Sequence, residues 1–365
     1  MLVLGIESTC DETGFSIVRD GKEILSNVVA SQEDLHKRFG GVIPELACRR
    51  HVDVLLPLLR QALTEAEVSV EEIDLIAVAN GPGLMGALLI GLNFAKGLSL
   101  SLNKPLVGVN HIEAHLYSVL MATQVPLPAI GVVISGGHTA LVKVENVGRY
   151  FLIGQTQDDA IGEAFDKVAR LLGLPYPGGP QIEKLAEKGN SQRFHFKCGQ
   201  LKGRPLDFSF SGLKTAVLYL VKGQNASKKS PLTIHEEEKA DIAASFQHSA
   251  FSNLVEKILL GAKHYQCRSI ILGGGVSQNA YLRSLLEKEA HCPVLWPPKG
   301  LSLDNAAMIA GLGFHTFLEK GGDSMHLEAL TRIPFKRIHD NEIHTSPSLD
   351  TAIFAGDYQL CPEKK

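Results

Sequence analysis

Ala129-Ile-Gly-Val-Val-Ile134 and the turn that follows it, Ser135-Gly-Gly-His138, decide how this sequence is expected to fold. The apolar run predicts a buried strand, with Thr139–Val144 as the returning strand and Tyr150–Gln155 as a third. The beginning of the chain has the same order, with three short strands predicted at Leu2–Ile6, Gly14–Val18 and Glu23–Val29. The pattern therefore indicates a structural duplication without a sequence repeat.

The segments after each set of strands also correspond, as helix, strand and helix. In the first half they are Pro44–Ala66, Asp74–Ala79, Leu84 to about Leu102 and Pro105–Val109, which leads into a further helix. In the second half they are helices at Gly162–Leu172 and Gly179–Lys188, a strand at Ser269–Leu272 and a helix from Ser277 to about Ala290. We expect an α/β protein with two duplicated domains around a nucleotide cleft.

The expected division follows these halves. Residues 1–120 form the first domain, which a C-terminal helix at about 304–330 completes, and residues 121–303 form the second. Gly223–Glu238, rich in Ser and Lys, is expected to be an exposed loop. Residues 331–365 lose the periodicity and are expected to be a tail or appendage.

The composition favours a cytoplasmic enzyme. A length of 365 residues exceeds what one core usually supports, and 45% hydrophobic with 21% charged residues is typical of soluble proteins. The six cysteines form no C-x-x-C pair, which favours reduced thiols. We expect neither export nor a membrane span, because the N-terminus has no charged n-region and no apolar stretch approaches ~20 residues.

The charge distribution gives no strong electrostatic signal for nucleic acid. The net charge is −3, so nucleic-acid binding would need a local basic patch or a partner protein. The clusters Lys37-Arg38, Arg49-Arg50 and Lys228-Lys229 are interpreted as solvated surface.

His111-Ile-Glu-Ala-His115 is the strongest functional signal. On a helix, residues four apart lie on one face, so both imidazoles can bind one cation. Zinc peptidases of the H-E-x-x-H type have their general base directly after the first histidine. Here that position is Ile112, and Glu113 falls on roughly the opposite face. The sequence therefore predicts a two-histidine metal-binding site that lacks the general base of a peptidase.

Three glycine-rich turns follow predicted strands: Asn80-Gly-Pro-Gly83, Ser135-Gly-Gly-His-Thr139 and Gly273-Gly-Gly-Val276. Glycines at these points allow close approach of backbone amides to an anion. None of the turns matches a P-loop or a dinucleotide-binding fingerprint. The turns predict nucleotide binding of another kind.

Two further segments have two interpretations each. The hairpin Gly5–Thr13 is either a solvated acidic turn or a phosphate-binding hairpin, with Asp11 or Glu12 near a metal or water. Asp304 precedes an apolar helix and is either its N-cap or a third metal ligand. Two histidines and one carboxylate with open positions suit Fe(II) or Zn(II).

Ten motifs of this sequence occur together in one known family. In the first half they are Glu7-Ser-Thr-Cys-Asp-Glu-Thr13, Gly40-Gly-Val-Ile-Pro-Glu45, Asn80-Gly-Pro-Gly83 and His111-x3-His115. In the remainder they are Ser135-Gly-Gly-His138, Gly162-Glu-Ala-Phe-Asp-Lys167, Tyr176-Pro-Gly-Gly179, Asp207-Phe-Ser-Phe-Ser-Gly-Leu-Lys214, Gly273-Gly-Gly-Val-Ser-x-Asn279 and Asp304-Asn305. Taken together, they resemble the TsaD/Kae/OSGEP family of tRNA N6-adenosine threonylcarbamoyltransferases. The likeness covers roughly residues 1–335.

The resemblance implies the actin-like ATPase (ASKHA) fold and a bacterial TsaD-like function. Such an enzyme transfers a threonylcarbamoyl group from threonylcarbamoyl-AMP to N6 of the adenosine 3′ to the anticodon, in tRNAs that read ANN codons. The implied partners are tRNA, TsaB-like and TsaE-like proteins, and a TsaC-type enzyme that supplies the adenylate. One divalent metal ion is implied, with Fe2+ favoured over Zn2+ or Mg2+.

The resemblance also assigns residues. His111, His115 and Asp304 would hold the metal, and Asp11, Glu12 and His138, in that order, are the candidates for a catalytic role. The residues expected to bind the substrate are Val133, Ile134, Ser135, Gly136, Gly137, Asp166, Gly179, Glu183 and Asn279. The alternatives are a metal-dependent peptidase, a small-molecule kinase of the same fold, and a nucleotide-binding scaffold without catalysis.

Overall fold

The structure is a computed structural model that describes residues 1–223, 234–333 and 336–337. The predicted loop at 223–238 therefore lies mostly outside the described residues, as does the predicted tail at 331–365 and the Lys228-Lys229 pair. The described part contains two mixed β-sheets with helices around them.

The first sheet is formed by the beginning of the chain. Its strands are β1 (Leu2–Glu7), β2 (Glu12–Arg19), β3 (Glu23–Ser31), β4 (Leu75–Gly81) and β5 (Leu106–Asn110). Their order is β3-β2-β1-β4-β5. β1 to β3 form an antiparallel meander, and β1, β4 and β5 run parallel. β4 is buried over its whole length, which explains the apolar run from Leu75 to Ala79.

The second sheet repeats this arrangement. Its strands are β6 (Ala129–Ile134), β7 (Thr139–Asn146), β8 (Arg149–Gln155), β9 (Ser269–Gly273), β10 (Val294–Leu295) and β11 (Lys336–Arg337). The order is β10-β9-β6-β7-β8-β11, which is the order of the first sheet with β11 added beside β8. As in the first sheet, the three meander strands β6, β7 and β8 pair antiparallel, and β9 pairs parallel with β6 and with β10. The duplication predicted from the sequence is confirmed.

The helices connect and cover the sheets. They are α1 (Glu33–Lys37), α2 (Pro44–Ala66), α3 (Met85–Leu102), α4 (His111–Ala122), α5 (Ile161–Leu171), α6 (Gly178–Ala186), α7 (Ser211–Lys222), α8 (Glu238–His264), α9 (Ala280–Glu289) and α10 (Ala306–Lys320). The predicted helix from Ser277 begins instead at Ala280, because Asn279 caps it by accepting a hydrogen bond from the Leu282 amide at 2.9 Å.

Helix α4 lies between the two sheets. A Cβ added to Gly131 on β6 would be 2.6 Å from the side chain of Leu116, and one added to Gly273 on β9 would be 2.8 Å from the carbonyl of His115. On the other side, the hydroxyl of Tyr117 donates to the Gly21 carbonyl at 2.9 Å. The helix with the two histidines is thus fixed by both halves of the fold.

Helix α10 returns to the first sheet. A Cβ added to Gly5 on β1 would be 2.2 Å from the Ala306 carbonyl, so strand and helix touch through their backbones. The helix ends at Lys320, short of the expected limit near 330, because Gly321 at φ 76° closes it. The chain then runs back along the sheet, where Asp323 accepts the Gly108 amide at 2.8 Å.

Helix α3 is, within the described residues, the one helix long and apolar enough to cross a membrane by length and composition. No membrane span is predicted from the sequence. One such helix is weak evidence, since helices in the core of soluble proteins pass the same test. Its buried face packs against β4 and α2, with Leu88, Leu92 and Ala95 almost fully buried.

Candidate active site

The two histidines owe their placement to Asn110. Its side-chain oxygen accepts the amides of Ile112 at 2.9 Å and Glu113 at 3.4 Å, which starts α4 at His111. His111 and His115 then lie one turn apart, with ring centroids separated by 4.6 Å. Both side chains are buried.

Asp304 reaches these rings from the segment before α10. Its Oδ1 lies 3.1 Å from Nε2 of His115 and 3.6 Å from Nε2 of His111. The alternative interpretation of Asp304 as a helix cap is wrong, because Asn305 accepts the Met308 amide at 3.1 Å instead. Asn305 also donates to the Leu303 carbonyl at 2.8 Å, which fixes the segment that carries Asp304.

The three side chains fit a metal ion. Their ligand atoms all lie within 4.8 Å of one another. Nδ1 of His115 is buried without a hydrogen-bond partner among the described residues, and Nε2 has Asp304 as its contact, at 3.1 Å. A buried nitrogen with a free lone pair is destabilising unless a donor or a cation satisfies it. Two imidazoles and a carboxylate are the donors that Fe(II) and Zn(II) accept.

The charges at this site are strongly coupled. Burial lowers the pKa of His111, but the carboxylates of Glu7 and Asp304 outweigh this effect and raise it to about 9. Burial likewise opposes ionisation of Asp304, and the neighbouring His111 and His115 nevertheless hold its pKa far below the usual range. In the absence of metal, His111 is therefore protonated on both ring nitrogens and positively charged at neutral pH.

His138 lies beside the same cluster. Burial, together with the charges of His111 and His115, lowers the pKa of His138 to about 4. Its imidazole is therefore neutral at pH 7. Its backbone closes the turn, since the His138 amide donates to Ser135 Oγ at 3.1 Å.

Glu12 and Asp11 lie on the hairpin between β1 and β2, near Asp304. Burial and the neighbouring carboxylates of Asp304 and Asp11 raise the pKa of Glu12 to about 10. Glu12 is thus protonated at pH 7, and its carboxyl can donate a hydrogen bond. A divalent cation nearby favours the ionised form of such a carboxyl.

The glycines of the predicted substrate site face open space. A Cβ added to Gly136, Gly137 or Gly179 would meet no atom within 4 Å. Within the described residues, the amides of Gly136 and Gly137 have no hydrogen-bond acceptor. These two N–H groups, directly after β6, are available to an anion. The preceding residues Val133 and Ile134 are fully buried in β6.

The open space beside Gly136, Gly137 and Gly179 forms a slot. The polar residues predicted to bind substrate there also make hydrogen bonds between the surrounding segments. Asp166 accepts the Gly178 amide at 2.7 Å, and Glu183 accepts the Ala280 amide at 2.6 Å. Asn279 donates to Gln247 at 3.1 Å. The first two contacts join α6, which contains Gly179, to α5 and α9, and the third joins the start of α9 to α8.

The turn Gly273–Val276 is closely packed, since a Cβ added to Gly274 would be 2.4 Å from the Ile134 carbonyl. The turn Asn80–Gly83 is closely packed as well. A Cβ added to Gly81 would be 2.1 Å from the Leu330 carbonyl, and one added to Gly83 would be 2.6 Å from the Thr9 carbonyl. The returning C-terminal segment and the first hairpin cover this turn. Its glycines therefore allow these two segments to pack closely against it.

Sequence reasoning missed several residues at the site. Glu7 appeared only as part of an acidic hairpin, yet its side chain is fully buried and contacts His111. The guanidinium of Arg170 on α5 donates to the Gly40 carbonyl, across the cleft. A cavity of about 220 Å³ lies at this contact, lined by Lys37, Gly40, Asp166, Arg170, Leu174, Pro175 and Tyr176. A larger cavity of about 400 Å³, between β3 and residues 298–301, contains none of the predicted site residues.

The predicted surface clusters are exposed where the structure describes them. Lys37 pairs with Glu33 at 2.9 Å and Asp34 at 3.0 Å. Arg49 and Arg50 are exposed on α2.

Comparisons with known proteins agree on one family. The sequence matches the family model described as TsaD, tRNA N6-adenosine threonylcarbamoyltransferase, over residues 23–311. A tRNA N6-adenosine threonylcarbamoyltransferase from Protochlamydia amoebophila (strain UWE25) is 60% identical over 344 residues, which are 93% of this chain and 100% of that protein. One from Chlamydia pneumoniae is 51% identical over 319 residues, 87% of this chain and 92% of that protein.

Solved structures with low sequence identity share the fold. HypF from T. kodakarensis has a TM-score of 0.59 at 15% identity, covering 90% of this chain and 49% of that one. The (R)-2-hydroxyglutaryl-CoA dehydratase component A from Acidaminococcus fermentans has a TM-score of 0.52 at 16% identity, covering 87% of this chain and 98% of that one. Together with the repeated strand order, they confirm the actin-like ATPase fold.

Proposed function

Because the chain belongs to the family of tRNA N6-adenosine threonylcarbamoyltransferases, we propose that it carries out this transfer in the cleft beside His111, His115 and Asp304. Membership makes the chain a transferase of tRNA modification, in the biosynthesis of N6-threonylcarbamoyladenosine (t6A). The observation that supports this location is the convergence of the three side chains, distant in sequence, beside the open glycines of the slot.

The proposed reaction takes threonylcarbamoyl-AMP as donor and the adenosine 3′ to the anticodon as acceptor, in tRNAs reading ANN codons. The adenosine N6 attacks the carbamoyl carbon, and the bond from that carbon to the phosphate oxygen breaks. AMP leaves with the electron pair, and N6 loses one proton. The donor is already an activated mixed anhydride, so alignment of the two substrates supplies much of the rate.

His111, His115 and Asp304 would hold one divalent ion, with Fe2+ favoured by the donor set. Zn2+ accepts the same ligands, whereas Mg2+ prefers oxygen. When bound, the ion supplies Lewis-acid polarisation of the donor's oxygens.

The slot residues would bind the adenylate. The free amides of Gly136 and Gly137 are suited to its phosphate, and they stabilise the charge that develops on the departing AMP. Asp166 accepts the amides of Gly178 and Gly179, and the remaining lone pairs of its carboxylate would accept from a ribose hydroxyl. The remaining wall of the slot would come from Val133, Ile134, Ser135, Gly179, Glu183 and Asn279.

We assign the proton acceptor to Asp11 ahead of Glu12 and His138. Glu12 retains a proton at pH 7, since its pKa is raised to about 10 by burial and the carboxylates of Asp304 and Asp11. His138 is a weak base, because burial and the neighbouring histidines lower its pKa to about 4. Its neutral ring is better suited to orient the N6 amine by a hydrogen bond.

The proposed partners are tRNA, a TsaB-like and a TsaE-like protein, with the adenylate supplied by a TsaC-type enzyme in the cytoplasm. With a net charge of −3, the chain alone is expected to bind tRNA weakly. Tight, salt-sensitive binding by the chain alone would contradict this expectation.

The His115→Ala variant tests the function. The chain, its partners, threonine, bicarbonate, ATP and unmodified tRNA are incubated together, and nucleoside mass spectrometry measures t6A. We expect the variant to lose bound metal and product while its circular dichroism spectrum is unchanged. The matched control is His248→Ala, a half-buried histidine on α8 that contacts Tyr281. Wild-type product levels from His115→Ala would overturn the proposal.

A further inference from the structure

We propose that Glu7 is a positioning residue for the metal site: it holds the Nδ1–H of His111 and so directs Nε2 of that ring toward the cation. The inference rests on the metal site proposed above. It assigns a role to a fully buried carboxylate that the transfer chemistry does not use.

Both carboxylate oxygens of Glu7 are occupied. Glu7 is the last residue of β1, and its Oε1 accepts the Thr9 amide at 2.6 Å. Its Oε2 lies 2.9 Å from Nδ1 of His111. Because a carboxylate oxygen only accepts, Nδ1 of His111 must carry the proton in this contact.

The consequence for His111 concerns its second nitrogen. With the proton held on Nδ1, Nε2 is the atom left to bind a cation, and Nε2 is the nitrogen that faces Asp304, at 3.6 Å. A carboxylate behind a metal-binding imidazole fixes the ring's orientation and raises its basicity. Glu7 is the nearer of the two groups at this nitrogen, at 2.9 Å, and the Thr9 hydroxyl lies at 3.4 Å.

His115 provides the contrast. Its Nδ1 has no hydrogen-bond partner among the described residues, and its Nε2 lies 3.1 Å from Asp304. Among the described residues, His111 is therefore the proposed ligand whose second nitrogen contacts a carboxylate.

The fold links Glu7 to the third ligand as well. Gly5, two residues before Glu7 on β1, lies against the Ala306 carbonyl, two residues after Asp304. Strand β1 thus contacts the segments on both sides of the proposed metal, His111 through the Glu7 carboxylate and Asp304 through the start of α10.

The Glu7→Gln variant tests the inference by changing few atoms. Glutamine has one side-chain oxygen, so one of the two N–H groups, that of Thr9 or that of His111, must face an amide NH2. The Thr9 amide keeps its hydrogen in every state, whereas His111 can move its proton to Nε2. We expect the proton to move and to block the nitrogen that binds metal.

Two measurements on the full-length chain follow from this. In the variant, the affinity for Zn2+ alone, measured by chelator competition, should fall roughly 10- to 100-fold. The hydrogen-bonded Nδ1–H of His111, measured by NMR with 15N-labelled histidine, should be present in the wild type with and without Zn2+ and absent in the variant. A purely structural role for Glu7 would not remove this signal.

Thr13→Val is the matched control. Thr13 lies 2.7 Å from Nδ1 of His51, a buried histidine of the same half that is not a proposed ligand. This variant should change the His51 signal and leave Zn2+ affinity within about twofold of wild type.

The outcomes separate the two proposals. Wild-type protein that fails to bind Zn2+ or Fe2+ overturns the metal site itself. Wild-type protein that binds metal but has its His111 proton on Nε2 overturns the role of Glu7, without any variant. Unchanged Zn2+ affinity in Glu7→Gln overturns it too.

Discussion

Alanine at Gly136 or Gly179 should weaken nucleotide binding without harming the fold. An added Cβ at either position would meet no protein atom within 4 Å, and neither residue has a positive φ. Gly→Ala at such positions raises stability by roughly 0.4–1 kcal/mol, by restricting the unfolded chain. The proposed adenylate, however, would occupy the space that the methyl enters.

The size of the effect on binding follows from steric overlap. Forcing a methyl into a filled space typically costs about 1–3 kcal/mol. This corresponds to a loss of roughly five- to 150-fold in affinity. We therefore expect the dissociation constant for AMP and the KM for threonylcarbamoyl-AMP to rise within that range, with the free energy of unfolding unchanged or slightly higher.

Gly97→Ala is the control, because Gly97 on α3 also has nothing within 4 Å of an added Cβ but is remote from the slot. It should raise the free energy of unfolding by about 1 kcal/mol through helix propensity and leave AMP binding unchanged. Calorimetric titration with AMP and urea unfolding measure both quantities. If Gly136→Ala and Gly179→Ala bind AMP as Gly97→Ala does, the slot is not where the nucleotide binds.

Three substitutions and a change of pH provide further tests. Asp304→Asn should abolish Zn2+ binding and leave the cap of α10 in place, whereas Asn305→Ala should remove that cap and lower stability by about 1–2 kcal/mol in urea unfolding. The reverse pattern would restore the cap interpretation of Asp304. Gly5→Ala would place a Cβ 2.2 Å from the Ala306 carbonyl, so we expect roughly 1–3 kcal/mol of destabilisation and weaker Zn2+ binding; tolerance of this change would contradict the backbone contact. Because the carboxylates of Glu7 and Asp304 outweigh burial and raise the pKa of His111 to about 9, its proton competes with metal below that pH. Apparent Zn2+ affinity should rise by up to about tenfold per pH unit toward pH 9 and then level off, and an affinity independent of pH would refute a protonated His111. The folding stability of the metal-free protein changes with pH in the opposite direction to the Zn2+ affinity. The stability that the raised pKa of His111 contributes is complete below about pH 6.5 and is lost as the pH rises through 9.

The strands and several helices could be predicted because their sequence signals are local. Ala129–Ile134 and Pro44–Ala66 begin and end as predicted, since turn residues bound the strand and Pro44 occupies the first turn of the helix. No element was predicted between residues 189 and 268, where α7 and the 27-residue α8 lie. Helix α8 buries polar side chains, including Ser245, Gln247 and Lys257, which obscure the apolar stripe expected of a helix.

The site was predictable only in part for a similar reason. The spacing of His111 and His115 follows from helix geometry, whereas no local pattern brings residue 304 to them. Asp304 and Asn305 are both good caps, and the fold decides which of them performs that role. Glu7 is 104 residues from His111 in the chain, and its contact depends on the order of the strands.

The position of α4 between the two sheets determines what a swing of one half against the other changes. Such a movement must break the hydrogen bond from Arg170 to Gly40, which bridges the halves. It would leave the proposed metal ligands together, because two share one helix and α10, which follows the third, packs against that helix. A protein built in this way would keep the proposed ion while the cleft is open and would align donor and ion only when the cleft closes, which would protect a labile anhydride from premature attack by water.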